Sequence, residues 1–461
     1  MSDWNQFRSD HENSGHRRAP TLEDPDRPDT SWETEISGSV EASPVLDRDT
    51  VYIGSSAGNV YAFDRYEGRR RWVFETQLPI DSALVVTGES LFVVASDGTV
   101  FALDPETGEL RWEAEVSGGV ESAPTLSRGV LFIGHVDGVS ALAAETGEEL
   151  WFHETDAGVV GTPATTDRFE TDHVYVGTYQ DEVLALETAT GEEVWTAPTN
   201  GAVVGGPTVV PGNGGADGTD PLGSDERLSP ALSSKASDAD TESGSSSALG
   251  DDSGRDIDTT QEVDPADDTG IASTAAGTDL ESSQTAVDTA ESGQEHLAVD
   301  GDIDAGSGDR VYVADEGGLL VALNAETGQS WFTYEIRDSF TTAPTVTDDS
   351  VFAGASDGYL HITDTMFGKR KLRGWLFAKK GINLDGVAHA EPAVVGDTLC
   401  LGDSSGSVYG IDVDEPDFGW HYPLEEGVSS GPAVSDGSLY VVTDDGRLCC
   451  LSWRDETAGW D

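Results

Sequence analysis

Five side chains that could hold a metal ion stand at one repeated place in the sequence, close to a proline or to the leucine that replaces it. Glu41, Asp81, Glu121 and His389 each lie three residues before that position, and Glu391 lies one residue before it. Carboxylate oxygens are hard ligands of the kind that Ca²⁺ binds, so one interpretation is a cation or small-ligand site. In a chain with 87 Asp and Glu residues, we favour solvated surface carboxylates.

The cysteines give a second, weaker sign of chemistry. Cys400, Cys449 and Cys450 are too few for a disulfide framework, and their spacing is not that of a metal site. Cys449 and Cys450 fall inside a predicted strand, where neighbouring side chains point to opposite faces and a disulfide would need local distortion. We therefore predict reduced, structural thiols. No phosphate-binding loop and no nucleophile motif stands out elsewhere.

A repeat of about 40 residues must position these side chains. Its clearest copy reads Ala62-Asp64-Gly68-Trp72, with a small residue, an acidic residue, a glycine and a tryptophan at fixed spacing. The copy that ends at Trp331 is one residue short before its tryptophan. The aligned tryptophans are Trp32, Trp72, Trp112, Trp151, Trp195, Trp331, Trp375, Trp420 and Trp460.

Each copy also contains short runs of Val, Ile, Tyr and Phe separated by turns rich in Gly, Ser and Asp. These runs, with the segment at the tryptophan, predict four short antiparallel strands per repeat. Four strands per repeat of about 40 residues are typical of β-propeller blades.

The repeated phrase resembles the tryptophan-docking repeat of the PQQ-repeat (quinoprotein-like or BamB-like) β-propeller family. The resemblance implies that each tryptophan packs against the next blade, near the turn between the small residue and the glycine. We predict an all-β, eight-bladed β-propeller of four-stranded antiparallel blades over residues 31–461. Residues 32–36 form a lone outer strand, which we expect to close the ring on the blade built from residues 432–451. Residues 1–30 are set apart as an N-terminal extension.

One insert interrupts the fifth blade. Residues 211–307 contain no Phe, Tyr or Trp and only three basic residues, Arg227, Lys235 and Arg255. Such a composition cannot bury enough apolar surface to offset chain entropy, so we predict disorder.

A basic cluster lies in the sixth blade. It contains four of the five lysines, and its members are Lys369, Arg370, Lys371, Arg373, Lys379 and Lys380. The plainer interpretation is a solvated blade turn, and the alternative is a docking patch for an acidic partner, such as the insert of the same chain.

The formal net charge of −62 opposes binding to nucleic acid or to an anionic membrane. We interpret this acidity as adaptation to a salt-rich, halophilic cytoplasm, where screening removes the self-repulsion; binding of a basic substrate is the alternative. We see no secretory signal, lipid-attachment cysteine or transmembrane run, so we expect a cytoplasmic protein.

We predict a non-enzymatic, monomeric scaffold for protein–protein interaction or assembly, with no cofactor, no nucleic acid and no membrane insertion. The main alternative is a PQQ- or small-ligand-binding, quinoprotein-type dehydrogenase. The resemblance implies that such enzymes hold the quinone between a tryptophan and a disulfide of adjacent cysteines, with Ca²⁺ and a catalytic Asp. Cys449 and Cys450 are the residues that favour this alternative. An assembly factor at the cell surface is a further alternative, by analogy alone.

Overall fold

The chain is described by a computed structural model over residues 4–17, 27–166, 172–212, 308–371, 381–435 and 437–453. These residues form eight four-stranded antiparallel blades arranged as a β-propeller, and none of them is helical. The predicted fold class is therefore confirmed. Nearly all of the insert, residues 213–307, lies outside the described ranges, so its disorder stays a prediction.

Blades 1 to 4 follow one another along the chain, and each contributes its four strands in order from the centre of the ring to the rim. The strands are, in blade 1, Val45–Asp47, Thr50–Ser55, Asn59–Asp64 and Arg70–Glu75; in blade 2, Val85–Val86, Leu91–Val94, Thr99–Leu103 and Leu110–Glu115; in blade 3, Thr125–Ser127, Val130–His135, Gly138–Ala143 and Glu149–Glu154; and in blade 4, Val159–Thr165, His173–Thr178, Glu182–Glu187 and Glu193–Pro198.

Blades 5 to 8 repeat this order, except that the last blade takes its outer strand from the beginning of the chain. The strands are, in blade 5, Thr208–Val210, Arg310–Ala314, Leu319–Asn324 and Ser330–Glu335; in blade 6, Thr345–Val346, Ser350–Gly354, Tyr359–Asp364 and Gly381–Asn383; in blade 7, Ala393–Val395, Thr398–Gly402, Ser407–Asp412 and Phe418–Pro423; and in blade 8, Ala433–Ser435, Ser438–Val442, Arg447–Ser452 and Asp29–Glu35.

Burial explains why the middle strands are apolar and the outer strands alternate. Thr50–Ser55 is buried at every residue, because both faces of its blade pack on neighbouring blades. Arg70–Glu75, at the rim of the same blade, alternates between exposed and half-buried residues. The same contrast recurs around the ring, so the core is a series of interfaces between blades.

The ring closes as the sequence predicts. Asp29–Glu35 pairs antiparallel with Arg447–Ser452, with Trp32 opposite Cys450. Residues near the start of the chain thus complete the blade that ends it. This pairing covers the outer edge of Arg447–Ser452, so blade 8 has four strands as the other blades do.

Five tryptophans of the outer strands dock on the next blade in one way. The Nε1 group of each donates a hydrogen bond of 2.9 to 3.1 Å to a backbone carbonyl three residues before the repeat glycine. A Cβ on that glycine would lie only 2.5 to 2.8 Å from an indole carbon, so a side chain there would block docking. The donor and acceptor pairs are Trp32 with Arg65, Trp72 with Pro105, Trp112 with Ala144, Trp151 with Thr188 and Trp195 with Ala325.

In blade 5 the docking position belongs to Phe332 and not to Trp331, which corrects the sequence alignment. Phe332 keeps the four-residue spacing from the repeat glycine Gly328, and its ring lies against Gly368 of blade 6, where a Cβ would come within 2.3 Å. Trp331 instead donates a hydrogen bond of 3.2 Å to the Met366 carbonyl. The distance from the turn therefore selects the docking residue, whichever aromatic type stands there.

Of the three remaining tryptophans, only Trp420 lies among the described residues. Trp420 is buried and packs edge-on against Trp453 of blade 8, with ring centroids 5.6 Å apart. Trp375 and Trp460 lie outside the described residues, so their docking stays a prediction.

Candidate functional site

The first strands of the blades surround the axis of the ring and leave one edge facing a central channel. Each first strand is bonded to the second strand of its own blade, and neighbouring first strands contact one another around the ring. We call the end with the loops between blades, and with the turns between second and third strands, the loop face. The opposite end, with the turns between first and second and between third and fourth strands, is the turn face.

Residues 4–17, which the sequence sets apart as an extension, lie inside this channel; we call them the channel segment. They run around the channel past the first strands of successive blades. Six of these strands donate a backbone N–H to the segment, at 2.6 to 3.0 Å, and in each strand the donor lies two residues after the repeat proline or its replacement. The donors are the N–H groups of Leu46, Val86, Leu126, Thr165, Val209 and Val394, and the acceptors are, in that order, the carbonyls of Trp4 and Asn5, the Gln6 side chain, and the carbonyls of His11, Glu12 and Gly15.

These contacts solve the edge problem of the inner strands. A strand at the edge of a sheet presents unpaired N–H groups, and such groups are costly when they are buried without a partner. The channel segment supplies acceptors to six of the eight blades, and His16–Arg17 adds a short parallel strand to Ala393–Val395. The segment is therefore an internal belt that ties the blades together.

Two polar side chains of the channel segment extend these contacts. Arg8 is 2% exposed, and its guanidinium donates to Thr208 Oγ1 at 2.9 Å, to the Pro344 carbonyl at 2.8 Å and to Thr345 Oγ1 at 2.6 Å. The first strand of blade 6 is not among the six whose N–H groups bond to the channel segment, and Arg8 binds this blade through its side chain instead. Asn13, also buried, donates through Nδ2 to backbone carbonyls of blades 4 and 5.

Apolar side chains fix the beginning of the segment. Trp4 is 2% exposed and belongs to the core between blades 8 and 1. Phe7 packs with Ala83 and Ala123, which precede the first strands of blades 2 and 3. The two alanines leave room for the aromatic ring of Phe7, so the channel wall and the segment fit each other.

Glu391 is the exception in a ring of small residues that lines the channel on the loop-face side of the segment. A Cβ on Gly205 would lie 2.9 Å from Glu391 Oε1, which shows that this side chain reaches across the channel from blade 7 toward blade 5. The equivalent residues of the other blades, one before the repeat proline or its replacement, are Ser43, Ala83, Ala123, Thr162, Gly206, Ala343 and Gly431.

Burial dominates the electrostatics of this channel. Loss of hydration raises the pKa of Glu391, and the nearby Arg8 guanidinium opposes that rise. Burial likewise lowers the pKa of Arg8 to about 10, against the effect of Glu391 and Asp10. The pKa of Asp10 is raised by desolvation, although Ser14 donates two hydrogen bonds to its carboxylate. The channel therefore holds ionisable groups that belong to the packing of the segment.

The five residues that could hold a cation do not form one site. Glu41 and His389 are exposed, Asp81 accepts a hydrogen bond of 2.8 Å from Ser96 Oγ, and Glu121 accepts one of 2.6 Å from the Tyr179 hydroxyl. Among the residues that the structure describes, no group of three or more His, Cys, Asp or Glu side chains has the arrangement of a metal site. Glu391 alone of the five projects into the channel.

The loop face carries a local departure from the repeat. In every blade the first turn residue after the second strand donates its N–H to a carbonyl of the preceding loop between blades, so eight positions are structurally equivalent. Six of them are serine or acidic, namely Ser56, Ser96, Glu316, Ser356, Ser404 and Asp444. The other two are Val136 and Tyr179, in the adjacent blades 3 and 4, and they are 46% and 48% exposed.

Part of the predicted basic patch lies on the turn face of blade 6. Lys369 is exposed, whereas Arg370 Nε donates to the Tyr334 hydroxyl at 2.9 Å and Lys371 Nζ donates to Ser350 Oγ at 2.8 Å. Arg373, Lys379 and Lys380 lie outside the described residues. The docking of an acidic partner on this patch therefore stays a prediction.

The cysteines are free thiols inside the core. Cys449 and Cys450 are neighbours in Arg447–Ser452, opposite Glu33 and Trp32 of the closing strand. Burial raises the pKa of Cys449 to about 12 and also raises that of Cys450, and it raises the pKa of Cys400 to about 12. All three are therefore protonated, poorly nucleophilic thiols at neutral pH.

The part of the chain that the structure describes has no helix with the length and apolar character needed to cross a membrane.

Comparison with known proteins gives one family and several structural relatives. A family profile described as Outer membrane protein assembly factor BamB matches residues 21–74, 72–166, 135–215 and 261–427. The BamB protein of Yersinia pestis is 25% identical over 170 residues, which are 33% of this chain and 41% of that protein. The aligned region thus spans about two fifths of that relative.

Two solved structures extend the likeness to the whole ring. BamB from Moraxella catarrhalis superimposes with a TM-score of 0.59 at 17% identity, over 92% of this chain and all of the other. Quinohemoprotein alcohol dehydrogenase from Comamonas testosteroni does so with a TM-score of 0.65 at 13% identity, over all of this chain and 82% of the other. At these identities the structural likeness establishes the fold alone.

Proposed function

Because this chain belongs to the β-propeller family of the outer membrane protein assembly factor BamB, we propose that it is a non-enzymatic scaffold that binds another protein. The observation that carries the proposal is the channel segment. Its hydrogen bonds to six first strands, with the Arg8 contact to blade 6, occupy the channel with the chain itself. The outer faces are then the surfaces on which a partner can bind.

The chemistry of the described residues supports a scaffold. Cys449 and Cys450 are separate buried thiols in a strand, and the carboxylates at the loop face are used singly in contacts such as the one between Glu121 and Tyr179. The ionisable groups in the channel pack against the channel segment. We therefore place the function in binding, and a cytoplasmic location remains part of the proposal.

The test combines a search for a partner with a search for a cofactor. Cells of the source organism are cross-linked gently before lysis, the full chain is purified in molar salt, and the proteins that co-purify with it are identified by mass spectrometry. In parallel, the protein is incubated with PQQ and Ca²⁺ and its absorbance spectrum and metal content are measured. We expect one stoichiometric protein partner and no quinone chromophore. A stoichiometric bound quinone with alcohol-oxidising activity would overturn the scaffold and favour the dehydrogenase.

A further inference from the structure

From the departure at the loop face we infer that the exposed side chains of Val136 and Tyr179 form the docking point for a segment of the partner protein that is cationic and carries an apolar side chain. This inference rests on the proposed function, since it names the surface and the chemistry by which the scaffold would recognise its partner.

The two side chains lie on adjacent turns of one face. The Val136 side chain lies against Gly118, where a Cβ would come within 2.4 Å of Val136 Cγ2. Gly158 lies against both turns, since a Cβ there would be 3.1 Å from Val136 Cα and 3.4 Å from Tyr179 Cδ2. An incoming apolar side chain can therefore contact the exposed parts of both residues on this face.

The comparison between blades shows that the turn itself does not require these two side chains. The backbone hydrogen bond at this turn is the same in all eight blades, at 2.8 to 3.0 Å, whether the residue is serine, acidic, Val136 or Tyr179. The side chain at this place is thus free to vary without loss of the turn. Two exposed apolar residues in adjacent blades, on a ring that is otherwise polar, are the composition expected of an interface and not of a solvated turn.

The charge around Val136 and Tyr179 determines the charge of the partner segment. Glu121 accepts a hydrogen bond of 2.6 Å from the Tyr179 hydroxyl. This bond is the largest cause that raises the pKa of Tyr179 to about 12, and the charge of Glu316 adds to it. Asp137 follows Val136 directly. The loops and turns of blades 3 to 5 on this face, residues 116–121, 136–137, 155–158, 179–181, 199–202 and 316–317, contain no lysine or arginine. A segment rich in lysine or arginine complements this surface, whereas an acidic one is repelled.

The test places a photo-cross-linking residue, p-benzoylphenylalanine, at position 136 or 179 of the full chain. Matched controls carry it at Ser356 or Ser404, which are exposed and occupy the equivalent turn positions of blades 6 and 7. Each protein is irradiated in an extract of the source organism, and the cross-linked peptide is sequenced. We expect one lysine- or arginine-rich peptide with an apolar residue from positions 136 and 179, and none from the two controls.

The captured peptide is then synthesised with a fluorescent label and titrated against purified proteins. The double variant with Val136→Ser and Tyr179→Ser should bind it about tenfold more weakly than the unaltered chain, as expected when interface anchors are removed. Serine occupies this place in four other blades, so the variant should fold, and loss of the exposed hydrogen bond from Tyr179 to Glu121 should lower its unfolding midpoint only slightly. The variants Ser356→Ala and Ser404→Ala should bind as the unaltered chain does.

Two results would overturn the inference and leave the scaffold standing: a partner that co-isolates with the chain but cross-links equally from the control positions, or a captured peptide that is acidic or binds the double variant unchanged. If no protein co-isolates with the unaltered chain, the proposed function itself fails.

Discussion

The Nε1 group of Trp32 donates a hydrogen bond of 2.9 Å to the Arg65 carbonyl, across the joint between the last blade and the first. The same contact occurs within the chain at four later joints, but here it joins the strand that closes the ring to the blade that follows it. Because Trp32 belongs to a lone strand, its docking adds to the pairing with Arg447–Ser452 in holding the ring shut.

Replacing Trp32 with Ala should open this joint. The change removes the hydrogen bond and the contact with Gly68, and we expect a loss of about 2–4 kcal/mol in the free energy of unfolding, as for other large aromatic truncations. Urea unfolding followed by circular dichroism in molar salt, which screens the net charge, measures it. The exposed Glu33→Ala on the same strand is the control. An unchanged midpoint for Trp32→Ala would show that strand pairing alone closes the ring.

Phe332→Ala should destabilise the protein more than Trp331→Ala, although tryptophan is the larger side chain. Phe332 is 8% exposed and lies against Gly368, whereas Trp331 makes a longer hydrogen bond outside the docking position. We expect about 3 kcal/mol for Phe332→Ala and about 1 kcal/mol for Trp331→Ala, from the cost of a core cavity and of one exposed contact. The unfolding midpoints of the two variants measure this difference. A lower midpoint for Trp331→Ala than for Phe332→Ala would show that Trp331 is the docking residue of blade 5.

Deletion of residues 1–17 should loosen the centre of the ring. Six inner-strand N–H groups lose their acceptors, and the sites of Trp4 and Phe7 become empty. We expect a lower unfolding midpoint and faster hydrogen exchange at Leu46, Val86 and Val209, measured by mass spectrometry on fragments. A synthetic peptide of residues 1–17, added in excess, should restore part of the protection, while a scrambled peptide should not. Exchange rates equal to those of the full chain would contradict a role as a belt.

Glu391→Gln should stabilise the protein at pH 8 and lose this advantage in acid. A carboxyl whose pKa is raised in the folded state binds more protons than in the unfolded chain, so its contribution to stability falls as pH rises from about 4.3 through the folded pKa and stays lost above it. Glutamine has no charge, so it does not lose stability as the pH rises. Unfolding midpoints from pH 4 to pH 8 measure the difference, with the exposed Glu41→Gln as control. A destabilised variant at pH 8 would mean that the ionised carboxylate is held by Arg8.

The three thiols should be unreactive until the protein unfolds. Burial raises the pKa of Cys400 and Cys449 to about 12, so neither thiolate nor access is available at pH 8. Titration with Ellman's reagent should find no reactive thiol in the native protein and three after denaturation without reductant. Only one reactive thiol after denaturation would instead indicate a disulfide between Cys449 and Cys450.

Much of the architecture follows from the sequence by itself. The recurrence of the tryptophan phrase defines the blades, because the docking geometry seen at five joints demands the same glycine and the same spacing at each of them. The lone strand at residues 32–36 predicts its own partner, since a propeller with one blade short of a strand must close on it. The thiol character of Cys449 and Cys450 also follows, from the alternation of side chains along a strand.

Only the tertiary structure places the channel segment, and the reason is that its contacts are mostly main-chain hydrogen bonds. Residues 4–17 accept hydrogen bonds from strands 42 to 379 positions away, and any residue can offer a carbonyl, so no side-chain pattern marks them. The structure also decides that Phe332 docks in place of Trp331, because docking depends on the distance from Gly328 and not on residue type. Likewise, Val136 and Tyr179 stand 43 positions apart in the sequence and both lie next to Gly158 only because adjacent blades bring their equivalent turns to one face.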